Sequence, residues 1–327
     1  MSTAMKVGSG VPQGACISPL LFLIYINELP QLITSAYCKL FADDVKIYAS
    51  FPRRGETDDV SNALTVLSDW SRKWQVEIAI EKCAMIHIGF ANLEKKYELT
   101  GTKLNNVRHI TDLGITISQD LKVATHCTNI RRKAFSRACL ILRAMSTNDF
   151  KVLIKAYTTY VRPLLEYATC IWNPHMIKDI ETVEKVQKFF TRSVFKRCFG
   201  NKAEYLKRLE KLELETLEYR RLKFDLIMCF KILRNLVDIK IEDLFGKQPE
   251  TINDAQSGLR TYHQQKITIG RTPKQDTRRN FFSERIVLVW NELPPNIISA
   301  HNLNTFKSRL NAIDLRKFKS VILSINH

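Results

Sequence analysis

The sequence predicts an α+β fold in which a mixed first third gives way to a largely helical remainder. Three observations predict it. A short hairpin pattern is centred on Phe41-Ala42-Asp43-Asp44. A second hairpin pattern falls at Asp112-Leu113-Gly114-Ile115-Thr116-Ile117. Beyond about Ser118, apolar residues recur at helical spacing among lysines and arginines.

In chain order, Ser18-Pro19 opens the apolar run Leu20 to Ile26, and Asn27-Glu28-Leu29-Pro30 closes it. Ser18 suits an N-cap and Pro19 a first helical position, so a mostly buried helix is expected. Apolar arms flank Asp43-Asp44, which reads as two strands joined by a tight turn. Asp58 to Trp74 has helical periodicity through Val60, Ala63, Leu64, Leu67 and Trp70, with Asp58-Asp59 at its cap. Ala84 to Gly89 has strand character. The order helix, hairpin, helix, strand, hairpin places helices against one sheet face.

Helices are then expected over Asn129 to Met145, Asp149 to Tyr160, Ile180 to Phe195 and Tyr205 to Leu236. Residues 246–280 read as an irregular connection, and 281–327 as a small element with its own core of Phe281, Phe282, Val287, Val289, Trp290, Leu293, Phe306 and Leu310. The predicted division is therefore 1–117, 118–245, 246–280 and 281–327. Trp172 and Trp290, together with Tyr157, Tyr160 and Tyr167, read as packing residues.

The charge is unevenly divided. Residues 1–117 carry 12 basic and 12 acidic side chains, so the net charge of +17 comes from the remainder. A nucleic-acid backbone is the most economical partner for such a field, and a solvated basic surface is the alternative that charge alone leaves open. The apolar runs fall short of a membrane span, and the first residues lack the apolar segment of a secretory signal, which predicts a soluble intracellular protein with no membrane partner. Its compartment, cytoplasm or nucleus, is left open. The eight cysteines show no CxxC pair and lie in apolar surroundings, so most of them read as buried thiols. The seven histidines form no ligand or acid–base grouping.

Adjacent carboxylates at a strand turn repel unless water or a cation offsets them. Mg²⁺ is the fitting cation, because it prefers hard oxygen ligands and serves phosphate chemistry. A nucleotidyl-transfer site needs a further carboxylate, and no later acidic residue stands out as one.

The stretch Gly10-Val11-Pro12-Gln13-Gly14, then Ser18-Pro19-Leu20-Leu21-Phe22 and Tyr25-Ile26-Asn27-Glu28-Leu29-Pro30, resembles the substrate-binding motif of non-LTR retrotransposon reverse transcriptases. Phe41-Ala42-Asp43-Asp44 is similar to their catalytic hairpin. Trp74, Glu81-Lys82-Cys83 and Ile88-Gly89 resemble the next palm motif, and Leu113-Gly114-Ile115 the strand leading to the primer grip. Further on, Tyr160 to Ala168, Trp172-Asn173-Pro174, Trp290-Asn291-Glu292-Leu293-Pro294 and Phe306-Lys307-Ser308-Arg309-Leu310 resemble the post-palm region of jockey-like and CR1-like elements.

The resemblance implies a partial palm followed by a thumb-like helical region, in an RNA-directed DNA polymerase working by two-metal-ion nucleotidyl transfer. It implies Asp43 and Asp44 as catalytic Mg²⁺ ligands, and Gln13 and Gly14 beneath the incoming dNTP and template. Lys82 would neutralise the triphosphate. Arg131, Arg132, Lys133, Arg137 and Arg143 would contact the phosphates of RNA template and DNA primer. Two departures qualify this. The palm strand with the first catalytic aspartate, the fingers and the nicking endonuclease are expected upstream of Val11, and Ala79 stands where the family usually has asparagine. The expectation is thus a polymerase fragment inactive alone; the alternative is a non-catalytic nucleic-acid-binding or assembly remnant.

Overall fold

The computed structural model describes residues 14–50, 58–89, 92, 95–200, 202–246, 266–268 and 276–315. The chain divides into two compact units, Met1–Ile110 and Thr111–His327. Both helices and strands are present, as expected of a mixed fold.

The first unit opens with α1 (Ser18–Ile26) and a single turn, α2 (Leu29–Leu32). Pro19 occupies the first turn of α1, where its missing N–H leaves no partner wanting. Ile17 is the N-cap and Ser18 lies inside the helix. Burial also departs from expectation: only Ser18 and Ile26 of α1 are buried, while Leu20, Leu21, Leu23 and Ile24 are exposed. A helix apolar on every side needs cover on every side, and the described part of this unit covers one.

The hairpin forms as predicted, with β1 (Tyr37–Phe41) antiparallel to β2 (Asp44–Tyr48). Helix α3 (Asp59–Trp74) is capped by the Asp58 carboxylate, which accepts from the Ser61 N–H. Arg72 and Lys73 complement the dipole at its other end. A 3₁₀ turn (Ile80–Lys82) precedes β3 (Ala84–Met85), far shorter than the strand expected to Gly89. Strand β4 (Glu98–Leu99) pairs with β5 (Thr102–Lys103), and β3 pairs in parallel with β6 (Asn105–Asn106). The strands thus form two-stranded pieces, and the single sheet face predicted to carry the helices is absent among the described residues. The core here comprises Ile26, Leu29, Ile33, Ala63, Leu64, Leu67, Trp70, Tyr97 and Leu99.

A hairpin of β7 (His109–Asp112) and β8 (Ile115–Ser118) leads into the second unit. Its turn residues Leu113 and Gly114 both take positive φ, the backbone that a two-residue hairpin loop demands and that glycine adopts freely. Helices follow: α4 (Ala124–Ala144), α5 (Phe150–Tyr160), α6 (Arg162–Glu166), α7 (Thr169–Trp172) and α8 (Ile177–Phe199). The longest pair, α4 and α8, pack on each other around a core that includes Ile130, Ala134, Val183, Val186 and Phe190. Asp149 caps α5 through the Lys151 N–H, and Gly200 ends α8 in the left-handed conformation.

The predicted helix over Tyr205 to Leu236 is broken. It becomes α9 (Tyr205–Lys211) and α10 (Leu217–Leu233), because Glu213 takes positive φ and the Thr216 side chain caps a new start. The last described elements are α11 (Ile241–Leu244), α12 (Asp276–Arg279), α13 (Phe282–Asn291), α14 (Pro295–Ile298) and α15 (Leu303–Asn311). Val287, Val289, Trp290, Leu293, Phe306 and Leu310 are buried as predicted, but not in a core of their own: Leu226, Cys229, Phe230 and Ile232 of α10 complete it, with Ile267. Most of the predicted irregular connection lies outside the described residues.

Trp172, Trp290 and Tyr157 are buried, as their packing roles require. Tyr160 and Tyr167 are not; their rings are 58% and 59% exposed. All eight cysteines are free thiols. Cys127 and Cys229 are fully buried, Cys16 is exposed and the others are half-buried. Burial pushes the Cys127 thiol up to about 12, which leaves it a small hydrophobe. No helix among the described residues is long and apolar enough to cross a membrane.

Candidate functional site

The Asp43–Asp44 turn is built from strand alternation. In the register Phe41↔Asp44, Leu40↔Val45, Lys39↔Lys46, Cys38↔Ile47 and Tyr37↔Tyr48, one face presents Cys38, Leu40 and Ile47 to the core of the unit. The other face is exposed, with the Tyr37 and Tyr48 rings stacked 5.1 Å apart and Asp44 at its turn end. The two-residue loop is Ala42-Asp43, and Ala42 carries φ +50, a conformation costing a non-glycine residue roughly 1 kcal/mol or more. Asp43 and Asp44 are both exposed. Among the described residues neither forms an ion pair or side-chain hydrogen bond, which leaves both carboxylates open to a cation. Among the described residues no group of three histidines, cysteines or carboxylates is placed to hold a metal ion. The donors suit Mg²⁺ in kind, as two of its hard oxygen ligands, and fall short of a complete set.

The remaining predicted substrate residues are dispersed. Gln13 lies outside the described residues. Gly14 takes φ +83 in open space. Lys82 is exposed at the end of the 3₁₀ turn, its N–H bonded to the Ala79 carbonyl at 3.0 Å. A depression of about 590 Å³ in this unit lies elsewhere, between α3 and the β4–β5 turn.

Other motif residues brace the hairpin's surroundings. The Glu28 carboxylate accepts from both the Trp70 and Trp74 indoles, and the Tyr25 hydroxyl donates to the Trp74 carbonyl. Residues 25–30 and Trp74, separate in sequence, are thereby one structural joint between α1, α2 and α3.

In the second unit, α4 contains five basic residues and no acidic one. Arg132, Lys133, Arg137 and Arg143 are exposed and make no ion pair among the described residues; Arg131 is half-buried. Arg197 from α8 donates to the Leu142 and Met145 carbonyls at 2.7 and 2.6 Å, fixing the C-terminal end of α4. Its first turns are fixed by His126, whose Nδ1 accepts from the Thr116 N–H at 3.1 Å. Burial, helped by the Lys133 charge, lowers this imidazole to about 4.

Motif residues of the second unit also take part in ion pairs and hydrogen bonds. Glu166 pairs with Arg220 and, at 3.7 Å, with Arg162. Asp225 takes a bidentate pair from Arg285 at 2.9 and 3.0 Å, and accepts from Asn173 at 2.9 Å. Arg285 also donates to the carbonyls of Cys170 and Asn280. Asn291 brackets Ile267, accepting from its N–H and donating to its carbonyl. Sequence reasoning marked Arg162, Glu166, Asn173 and Asn291 as motif residues and missed the partners Arg220 and Asp225, which lie about 50 residues from Glu166 and Asn173.

A family profile described as "Reverse transcriptase (RNA-dependent DNA polymerase)" matches residues 3–117. The chain is 25% identical over 209 residues to the "Probable RNA-directed DNA polymerase from transposon X-element" of Drosophila melanogaster, covering 59% of this chain and 22% of that protein. It is 25% identical over 187 residues to the "RNA-directed DNA polymerase from mobile element jockey" of the same species, covering 52% and 20%. A third relative, "Probable RNA-directed DNA polymerase from transposon BS", also from Drosophila melanogaster, is 23% identical over 203 residues, covering 57% and 22%. The chain thus spans about a fifth of the length of these relatives. No solved structure matches it.

Proposed function

We propose that this chain is part of a non-LTR retrotransposon reverse transcriptase, as its similarity to such polymerases supports, and that its Phe41–Asp44 hairpin supplies two of the carboxylates for RNA-templated DNA synthesis. The observation that carries the reading is the turn itself: two exposed, unpaired carboxylates on an antiparallel hairpin whose other face is anchored in a core. Asp43 at the tip would be a direct Mg²⁺ ligand and Asp44 the second carboxylate. When bound, a Mg²⁺ pair activates the primer 3′-hydroxyl and braces the triphosphate, with the ions roughly 3.5–4 Å apart. Lys82 would place its ammonium against the departing phosphates, and Gln13 and Gly14 would border the incoming nucleotide and template.

Because two neighbours on one turn cannot surround two ions, the remaining carboxylate must come from beyond the described residues. Extension by the chain alone, with primer, RNA template, dNTPs and Mg²⁺, is therefore expected to be absent. The test is to add the upstream polymerase segment of a jockey-type relative in trans and repeat the assay. Extension that disappears with Asp43→Asn supports the reading; extension equal in wild type and Asp43→Asn overturns it. Efficient extension by the unsupplemented chain, lost in Asp43→Asn, would overturn the expectation of inactivity alone.

The bare cations of α4 favour a second role that does not depend on catalysis, contact with the nucleic-acid backbone by a thumb-like region. Each phosphate neutralised adds about 0.7 (single strand) to 0.9 (duplex) to the slope of log affinity against log salt. Replacing Arg132, Arg137 and Arg143 with alanine is expected to lower that slope by about 2–3. An unchanged slope would remove α4 from the interface.

A further inference from the structure

Tyr167 is mounted unlike any ordinary surface tyrosine. Its N–H is bonded to the Pro163 carbonyl at 3.0 Å and its own carbonyl accepts from the buried Trp172 indole at 2.8 Å. The next residue, Ala168, is held at φ +53, a conformation that alanine adopts at a cost. The backbone is thus fixed on both sides while the ring remains 59% exposed. On one edge the ring abuts the β7–β8 turn, where a Cβ built on Gly114 would stand 3.6 Å from it. The same corner receives the first turns of α4, because the His126 ring lies 4.8 Å from Trp172. Lys133, the first exposed lysine of the basic face, lies seven residues beyond His126, about 10 Å of rise along that helix. An exposed aromatic ring on a rigid mount, next to uncompensated positive charge, is the combination that binds unpaired bases: every base offers a π-face, and the cations hold the backbone.

We propose that Tyr167 is a base-stacking platform for single-stranded nucleic acid, working with the basic face of α4. The proposal rests on the nucleic-acid-binding reading of α4 and adds to it a residue and a preference for unpaired strand.

The test measures binding of the full chain to a fluorescein-labelled oligouridylate and to a blunt RNA duplex over a range of salt. Tyr167→Ala is expected to weaken oligouridylate binding about 5- to 150-fold. It should leave duplex binding and the salt slope unchanged, and Tyr167→Phe should bind within about twofold of wild type. Tyr167→Leu keeps the apolar bulk without the π-face and should weaken binding as alanine does, which separates stacking from any loss of fold in the alanine variant. Wild-type affinity in both Tyr167→Leu and Tyr167→Ala, with the salt slope intact, overturns the platform while sparing the basic face. Equal weakening on single strand and duplex also overturns it. Absence of salt-dependent binding by the wild-type chain overturns both the platform and the reading beneath it.

Discussion

Helix α1 and helix α10 both carry a heavy load of large apolar side chains, yet they are treated differently. In α10, Leu217, Leu222, Leu226, Cys229, Phe230 and Ile232 are buried, covered by helices from before and after it in sequence. In α1, Leu20, Leu21, Leu23 and Ile24 stay exposed, and only the side bearing Ile26 meets the core. The difference extends to polar groups. The second unit joins its helices with buried or half-buried pairs such as Asp225–Arg285 and Glu166–Arg220, whereas the hairpin of the first unit leaves both its aspartates unpaired. Carboxylates of the second unit hold its helices together, while the hairpin of the first keeps two exposed at its turn.

The largest break in that comparison is expected from Asp225→Ala. It removes the common acceptor of Arg285 and Asn173 and leaves a buried guanidinium uncompensated, at a cost of about 3–5 kcal/mol. Urea denaturation followed by circular dichroism measures it. A loss below about 1 kcal/mol would mean that the cluster is solvated and the contrast overstated.

A smaller effect should come from pH. The folded His126 holds its proton only below about 4, while the unfolded imidazole takes one near its ordinary 6.5. The neutral form therefore contributes stability that is complete above about 6.5 and is lost as pH falls towards 4. His126→Asn should flatten this part of the profile relative to wild type. Parallel profiles in denaturation series between those limits would show that the ring is open to water.

Smallest of all should be Leu20→Gln and Ile24→Gln. At exposed positions each is expected to change stability by no more than about 0.5 kcal/mol, and to improve solubility. A loss above about 1.5 kcal/mol would show these side chains covered in solution and erase the contrast with α10.

What the sequence made legible was local. Asp58 and Asp149 announced helix starts because a capping carboxylate acts within three residues. The hairpin at Asp43-Asp44 was legible because its arms are apolar on both sides of a short turn. The exposure of α1 was not, since an all-apolar run specifies the need for cover without saying what provides it. The break near Glu213 was hidden in a charge pattern that continues across it. Tyr167 was read as packing along with Tyr157 and Tyr160, because an aromatic at helical spacing says nothing of which side meets the core, and it is exposed just before the left-handed turn at Ala168. The proposed Asp43 site was legible as a pair of adjacent carboxylates, while a further ligand would have to come from a residue that local pattern cannot pair with it.

The shared core of α10, α13 and α15 has a practical corollary for handling the molecule. Phe230, Trp290 and Phe306 press against one another, with the Phe230 and Phe306 rings 4.3 Å apart, although residues 247–265 lie between them in sequence. A truncation that ends the chain before α13 would strip Phe230 of its ring partner and leave α10 displaying an aromatic surface prone to self-association.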